Sequence, residues 1–406
     1  AQEMMDSFYL QQQKTVEMNT AKVLDAMRKN HVSEQHLKSS TGYGYNDMGR
    51  DTLEMVWADV FRAEAALMRQ QIISGTHAIS LALAGNLLPG DELLVVGKPY
   101  DTLYKVIGYP QIKPGSLREI GITYREIDFD FFSPDYHKVC AEIRPETKML
   151  YIQRSKGYHW RPALTIEQIA TIIKTVRAQY PDIIIFVDNC YGEFVEEKEP
   201  IEVGANLIAG SLIKNPGAGL TPCGGYIAGD RELVERAAYR LNMPGVGFDA
   251  GPSLMDHRLY YQGLFLAPMI VGESLCGAVY AASLWQALGY DVLPKPQDKR
   301  SDIVQIIRLK DPQLLLAFCQ EIQHYGPVDS FVTPEPWAMP GYSDEIVMAA
   351  GSFIQGSSIE LSADAPMKEP YYIYLQAGLN RYHAKIALNA MLENMVAQGL
   401  LIKVIL

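Results

Sequence analysis

Cysteine is scarce in this chain: Cys140, Cys190, Cys223, Cys276 and Cys319 are odd in number, and none forms a CxxC pair. That speaks against a disulfide framework or a zinc ribbon, and the expected setting is a reducing cytoplasm in which these thiols act as small buried hydrophobes. Positive charge is also in short supply. Lys and Arg total 36 against 47 Asp and Glu, a formal net charge of -11, so no basic face for nucleic acid is expected. No uninterrupted apolar run reaches the roughly 20 residues that span a bilayer. The N-terminal AQEMMDSFYLQQQKT lacks the basic-then-apolar order of an export signal. Neither nucleic acid nor membrane is therefore an expected partner. Several catalytic signatures are missing too. There is no GxxxxGK[ST], HExxH or GxSxG, and Gly245-Val246-Gly247 with Gly251 has no strand leading into it. His31 and His36 sit on a polar helical stretch, and no His, Cys or carboxylate cluster has ligand spacing, so no metal is expected.

What the chain does have is 406 residues, 48% of them hydrophobic, enough for more than one domain. A polar helical arm is expected over residues 6–38, followed by the aromatic, Gly-rich turn TGYGYNDMGR (41–50) and a helix over 53–60 capped by Asp51 or Thr52. From residue 65 short apolar runs alternate with helical patterns: strands over 65–69, 92–96, 122–127, 148–153 and 183–188, with helices over 78–84, 100–106 and 165–179. Thr165 with Gln168 makes a capping box. Continuous apolar runs such as Ile183-Ile184-Ile185-Phe186-Val187 mark strands buried on both faces of a parallel sheet, so the fold class is α/β. A long apolar helix is expected over 258–286, broken or kinked at Pro268. The Pro-containing stretch 290–302 is the boundary to a smaller α+β unit with strands over 303–308, 345–350, 357–361 and 371–375 and a final helix over 380–398. The division is thus an N-terminal arm (1–52), a large domain (53–289) and a small C-terminal domain (290–406).

Four features fall in a suggestive order. Ser74-Gly75-Thr76-His77 lies between a strand and a small-residue helix, where free N–H groups and a glycine offer an anion site. Tyr100 follows the strand ending at Val96, placed to stack on a planar ligand or simply to cover the core. Asp188 ends the most apolar strand, and a carboxylate there needs a cation or donors. Lys214 follows in GSLIKNPGAG (210–219), with Ser211 three residues before it. Burial would depress the pKa of this lysine and suit it to imine chemistry with a carbonyl. Anion site, aromatic, carboxylate and lysine are the parts that a pyridoxal phosphate site requires.

Together with GYGYNDMGRDTLE (42–54), SGTHAI (74–79), VDNCYGEF (187–194), GSLIKNPGAG (210–219) and GPSLMDHRLYYQGLFLAP (251–268), these features carry a resemblance over nearly the whole chain. It resembles the fold-type I pyridoxal phosphate enzymes of Cys/Met metabolism, nearest the aluminium-resistance or methionine γ-lyase-like branch related to cystathionine β-lyase. The resemblance implies an aspartate aminotransferase-like fold and a carbon–sulfur lyase acting on a cystathionine- or methionine-like amino acid. It implies pyridoxal 5′-phosphate linked covalently to Lys214, with Asp188 holding the ring nitrogen protonated. Gly75, Thr76 and Ser211 would bind the phosphate, and Tyr100 would stack on the ring and protonate the leaving group. Tyr45 and Arg50 would reach the neighbouring subunit's site, which implies a homodimer or homotetramer with shared active sites. One departure stands out. Relatives carry a carboxylate-binding arginine near the C-terminus, and Tyr374 occupies that place here, leaving Arg154, Arg258 and Arg381 as alternative cations. An aminotransferase or aldolase on the same scaffold, and a non-catalytic metal-stress protein, are the alternative readings.

Overall fold

A computed structural model describes residues 1–339 and 342–401. Its strands are β1 (Ala65–Arg69), β2 (Glu92–Val96), β3 (Thr123–Ile127), β4 (Thr147–Gln153), β5 (Ile184–Asp188), β6 (Leu207–Ser211), β7 (Gly225–Gly229), β8 (Asp291–Leu293), β9 (Val304–Arg308), β10 (Ile346–Ala349), β11 (Leu361–Pro366) and β12 (Tyr372–Ala377). Its α-helices are α1 (Gln2–Lys29), α2 (Met48–Phe61), α3 (Gly75–Asn86), α4 (Asp101–Ile107), α5 (Tyr136–Ala141), α6 (Ile166–Arg177), α7 (Arg231–Leu241), α8 (Arg258–Ala287), α9 (Pro312–His324) and α10 (Arg381–Ala397).

The apolar strands do assemble as one sheet, in the order β1-β7-β6-β5-β4-β2-β3, buried on both faces except at the edge strand β3, which is part-exposed. Strands β2 to β6 pair in parallel, while β7 runs antiparallel to both β6 and β1. Alternation along each strand divides its side chains between two cores. Leu150, Ile152, Ile185, Val187 and Ile208 face one, with Trp57, Phe61 and Leu264. Met149, Tyr151, Ile184, Phe186, Leu207 and Ala209 face the other, with Ile79 and Ala237. A second, fully antiparallel sheet has the order β10-β11-β12-β9-β8. Lys156, just past β4, and Asp302, just before β9, are both fully buried and form an ion pair between the two sheets. The small domain expected over 290–406 includes residues 340, 341 and 402–406, which lie outside the described residues.

Several expectations are corrected. Helix α2 begins five residues earlier than expected because Asp47, not Asp51 or Thr52, is its cap and accepts the Arg50 N–H at 3.0 Å. The Asp47 carboxylate also accepts the hydroxyls of Ser40 and, at 2.7 Å, Ser253, tying the arm to the loop before α8. Tyr100 caps α4 rather than starting it, and α3 begins at Gly75 behind its cap Ser74. Helix α8 runs unbroken through Pro268, which is buried along with most of the helix. That helix is long and apolar enough to cross a bilayer, with a mean hydropathy of 1.6, but 72% of the window lies inside the fold, so it reads as a core helix. The strand expected over 357–361 is instead Leu361–Pro366, and the residues before it form a loop.

The loop after β6 rests on α8. Gly217 closes a short 3-10 turn after Lys214, and its carbonyl accepts the Leu220 N–H at 2.8 Å. A Cβ at Gly263 of α8 would lie 2.7 Å from that carbonyl, and a Cβ at Gly217 would lie 1.9 Å from the Leu212 carbonyl. Gly217→Ala must therefore displace backbone. It is expected to cost about 1–3 kcal/mol, read as a lowered melting temperature, with weaker cofactor retention; an unchanged melt and full retention would contradict this packing.

Candidate active site

Parallel pairing brings the carboxyl ends of β4, β5 and β6 to one edge, with Gln153 opposite Asp188 and Asp188 opposite Ala209. The antiparallel return through β7 sets Ser211 opposite Gly225 and Gly225 opposite Arg69, so the chain leaving β1 toward α3 arrives at the same edge. Alternation then turns Tyr151, Gln153, Asp188 and Ser211 to a single face. A cavity of about 240 Å³ opens there, lined by Gly75, Thr76, Tyr100, Gln153, Asp188, Cys190, Tyr191, Ser211 and Lys214. The second sheet and the loop before it close the other side with Ser357, Asp364, Tyr374 and Gln376.

Asp188 is 2% exposed. It accepts the Tyr151 hydroxyl at 3.1 Å and the Cys190 N–H at 3.1 Å. Burial nevertheless pushes its carboxyl above the ordinary range, with the Cys190 N–H and Lys214 pulling the other way. A carboxylate so placed has a use for one more cation. At the start of α3 the N–H groups of Gly75 and Thr76 have no acceptor among the described residues, while His77 N–H is taken by Ser74 Oγ at 3.1 Å. A Cβ on Gly75 would approach Cys190 Sγ at 3.2 Å and Ser211 N at 3.3 Å. A side chain there would crowd both neighbours, so glycine suits a close approach of an anion to these N–H groups. Tyr100 donates its hydroxyl to Thr76 Oγ1 at 3.0 Å and its N–H to Gln153 Oε1 at 2.9 Å. Burial, then Asp188, holds its phenol well above the usual value, so it stays protonated.

Lys214 sits in the cavity wall with Nζ 3.7 Å from the centre of the Tyr191 ring. The expected depression of its pKa does not occur. Burial works against its charge, but Tyr191, Cys190 and Asp188 together outweigh burial and hold it above the ordinary lysine value. Tyr191 itself has a left-handed backbone, φ 68°, a conformation that is uncommon for a non-glycine residue.

The remaining expected residues lie elsewhere. Arg154 is buried, but it pairs with Glu196 at 3.2 Å and Glu199 at 3.4 Å and donates to Asn189 at 2.8 Å. Arg381 pairs with Glu273 and lies over the Tyr9 ring, and Arg258 is exposed at the start of α8. None of the three lines the cavity, whereas Tyr374 does. Arg50 is spent on the Gly44 and Gly251 carbonyls, at 2.7 and 3.0 Å, and on Asp51. Tyr45 is exposed and stacks on Tyr43. Neither enters the cavity of its own chain. Gln153, Tyr191, Ser357 and Asp364 escaped the sequence reading. Gln153 carried a signal, since it ends an apolar strand as Asp188 does; Asp364 carried none once its strand was placed several residues too early.

The chain matches a family model described as methionine gamma-lyase over residues 1–396. It belongs to the methionine γ-lyase family. YnbB of Bacillus subtilis is 50% identical over 388 residues, covering 95% of this chain and 92% of that protein. A solved carbon-sulfur lyase involved in aluminum resistance from Clostridium novyi NT is 46% identical, with a TM-score of 0.92 over 97% of this chain and 94% of that one. The pyridoxal-5′-phosphate dependent protein YhfS of Escherichia coli is 18% identical and shares the fold, with a TM-score of 0.63 over 93% of this chain and 96% of that one. The protein is therefore a pyridoxal 5′-phosphate-dependent carbon–sulfur lyase of fold type I. The cavity fits that cofactor: the Gly75 cradle suits a phosphate, and the buried Asp188 suits a protonated ring nitrogen. The non-catalytic reading falls with family membership.

Asp364 gives the site a pH signature. Burial raises its carboxyl from 3.8 to about 6. The folded chain thus holds this proton more tightly than the unfolded chain does, so this group lowers stability as pH rises from about 4 to about 6 and leaves it lowered above that. Cofactor-free Asp364→Asn is expected to melt above the parent at pH 8 and level with it at pH 4. A gap independent of pH would show that the charge is not the cause.

Proposed function

We propose that this protein cleaves the carbon–sulfur bond of a cystathionine- or methionine-like amino acid by β- or γ-elimination. The products are a thiol and an unsaturated amine that hydrolyses to ammonia and an oxo acid. The observation that carries the reading is the meeting of Lys214, Asp188, Ser211 and the Gly75 cradle in one cavity of a chain that belongs to this family. When bound, pyridoxal phosphate supplies an electron sink that makes the substrate Cα–H acidic.

The chain's own residues divide the remaining work. Lys214 would hold the cofactor, and its Nζ would move protons between the substrate Cα and the neighbouring carbons. Asp188 holds a proton at the ring nitrogen, its carboxylate oriented by the Tyr151 hydroxyl and the Cys190 N–H. The N–H groups of Gly75 and Thr76 and the Ser211 hydroxyl bind the phosphate. Tyr100, in the cavity wall, would flank the cofactor, and its phenol, protonated at neutral pH, would supply a proton to the departing sulfur. Tyr374 offers the substrate a neutral hydroxyl. The exposed Tyr45 and the arm anchored by Arg50 complete the site of a second subunit, which makes the working unit a homodimer or homotetramer in the cytoplasm. Residues 53–289 form the cofactor domain of that unit, and the described residues from 290 onward its small domain.

Cofactor-loaded parent protein is expected to absorb in the visible region, and Lys214→Ala to lose that band. Incubated with cystathionine, methionine and cysteine in turn, the parent is expected to release thiol and oxo acid from at least one. Amino-group transfer without thiol release would replace the lyase reading with an aminotransferase.

A further inference from the structure

The wall that the second sheet gives to the cavity is acidic. Asp364 and Tyr374 are directly opposed across β11 and β12. Their neighbours Ala363 and Leu375 turn to the hydrophobic core, so alternation turns Asp364 and Tyr374 to the cavity. Asp364 is 3% exposed. Its Oδ2 accepts the Ser357 hydroxyl at 3.2 Å, while its Oδ1 has no hydrogen-bond donor among the described residues. A buried carboxylate oxygen without a donor is costly unless a ligand brings one.

The surroundings point to the kind of ligand. Tyr158 lies 4.9 Å from Tyr374 and 5.5 Å from Tyr342, ring centre to ring centre, and the Tyr158 hydroxyl and Lys214 only partly offset the burial of the Asp364 carboxyl. Among the described residues the cavity is lined by three carboxylates, Asp101, Asp188 and Asp364, and by one cation, Lys214. Asp188 faces the ring nitrogen in the reading above, and Lys214 bears the cofactor. Asp364 is left with no partner of opposite charge on its own wall.

Resting on that lyase reading, we propose that Asp364 is a specificity-determining residue that receives an ammonium group at the far end of the substrate. The preferred substrate is then a thioether amino acid with a second amino group beyond the sulfur, as in cystathionine, over one ending in a neutral methyl group, as in methionine.

The test uses cofactor-loaded protein and the change in its visible spectrum on ligand binding, which needs no turnover. Ornithine and lysine are compared with their uncharged isosteres, norleucine and 2-aminoheptanoate. The parent is expected to bind at least one charged member about tenfold more tightly than its isostere, the scale of a charge-assisted hydrogen bond. Asp364→Asn is expected to lose that preference and Asp364→Glu to keep part of it. No preference in the parent overturns the proposal whether or not either variant folds, and so does a preference that survives in Asp364→Asn. A preference for the ammonium ligands without thiol release from any thioether would leave the role of Asp364 standing and remove the lyase reading.

Discussion

A carboxylate held dry at the end of β5 is the constraint around which the rest is arranged. Asp188 is buried at the edge where β4, β5 and β6 all end, and it accepts a tyrosine hydroxyl and one backbone N–H. Burial outweighs those donors together with Lys214 and the Cys190 thiol, and its pKa rises. The fold places the compensating groups around it by simple means. Parallel register puts Gln153 alongside, alternation turns Ser211 to the same face, and the β6–β7 return delivers Gly75 at the phosphate end. Lys214 is set by a turn that a helix glycine allows to pack closely.

The two sheets contribute opposite characters to one cavity. The large sheet brings an anion cradle, a lysine and a carboxylate matched to a cofactor. The small sheet brings aromatic rings and an unpaired acid, Asp364. The buried pair of Lys156 with Asp302 joins the strand end that bears Gln153 to the start of β9, so the two walls are held in register by a contact outside the chemistry. Such a pair contributes more to geometry than to stability, since desolvation offsets most of its attraction.

Much of the large sheet was legible because its signals are local. Five apolar runs sit where β1 to β5 form, the Thr165 and Gln168 capping box is in place, and Ser74 caps α3. The cavity gathers Gly75, Thr76, Tyr100, Asp188, Ser211 and Lys214, residues far apart in the chain, because strand ends converge. What escaped depends on distant partners. Asp47 caps α2 with help from Ser253, some two hundred residues away. Arg154 looked available, but glutamates from the following segment occupy it. The pKa of Lys214 rises because Tyr191, Cys190 and Asp188 surround it, and burial alone would have predicted a fall. Asp364 was hidden by a strand assigned to 357–361, since only its true register shows which side chains face the cavity.

The pairing of Asp188 with the cofactor's ring nitrogen is the claim on which the rest turns. It is tested most directly by reconstituting the protein with pyridoxal 5′-phosphate labelled with nitrogen-15 in the ring and recording that nitrogen's NMR shift near neutral pH. The account predicts a protonated pyridinium in the parent and a neutral nitrogen in Asp188→Ala. A neutral nitrogen in the parent, or the same protonation state in both proteins, would contradict it.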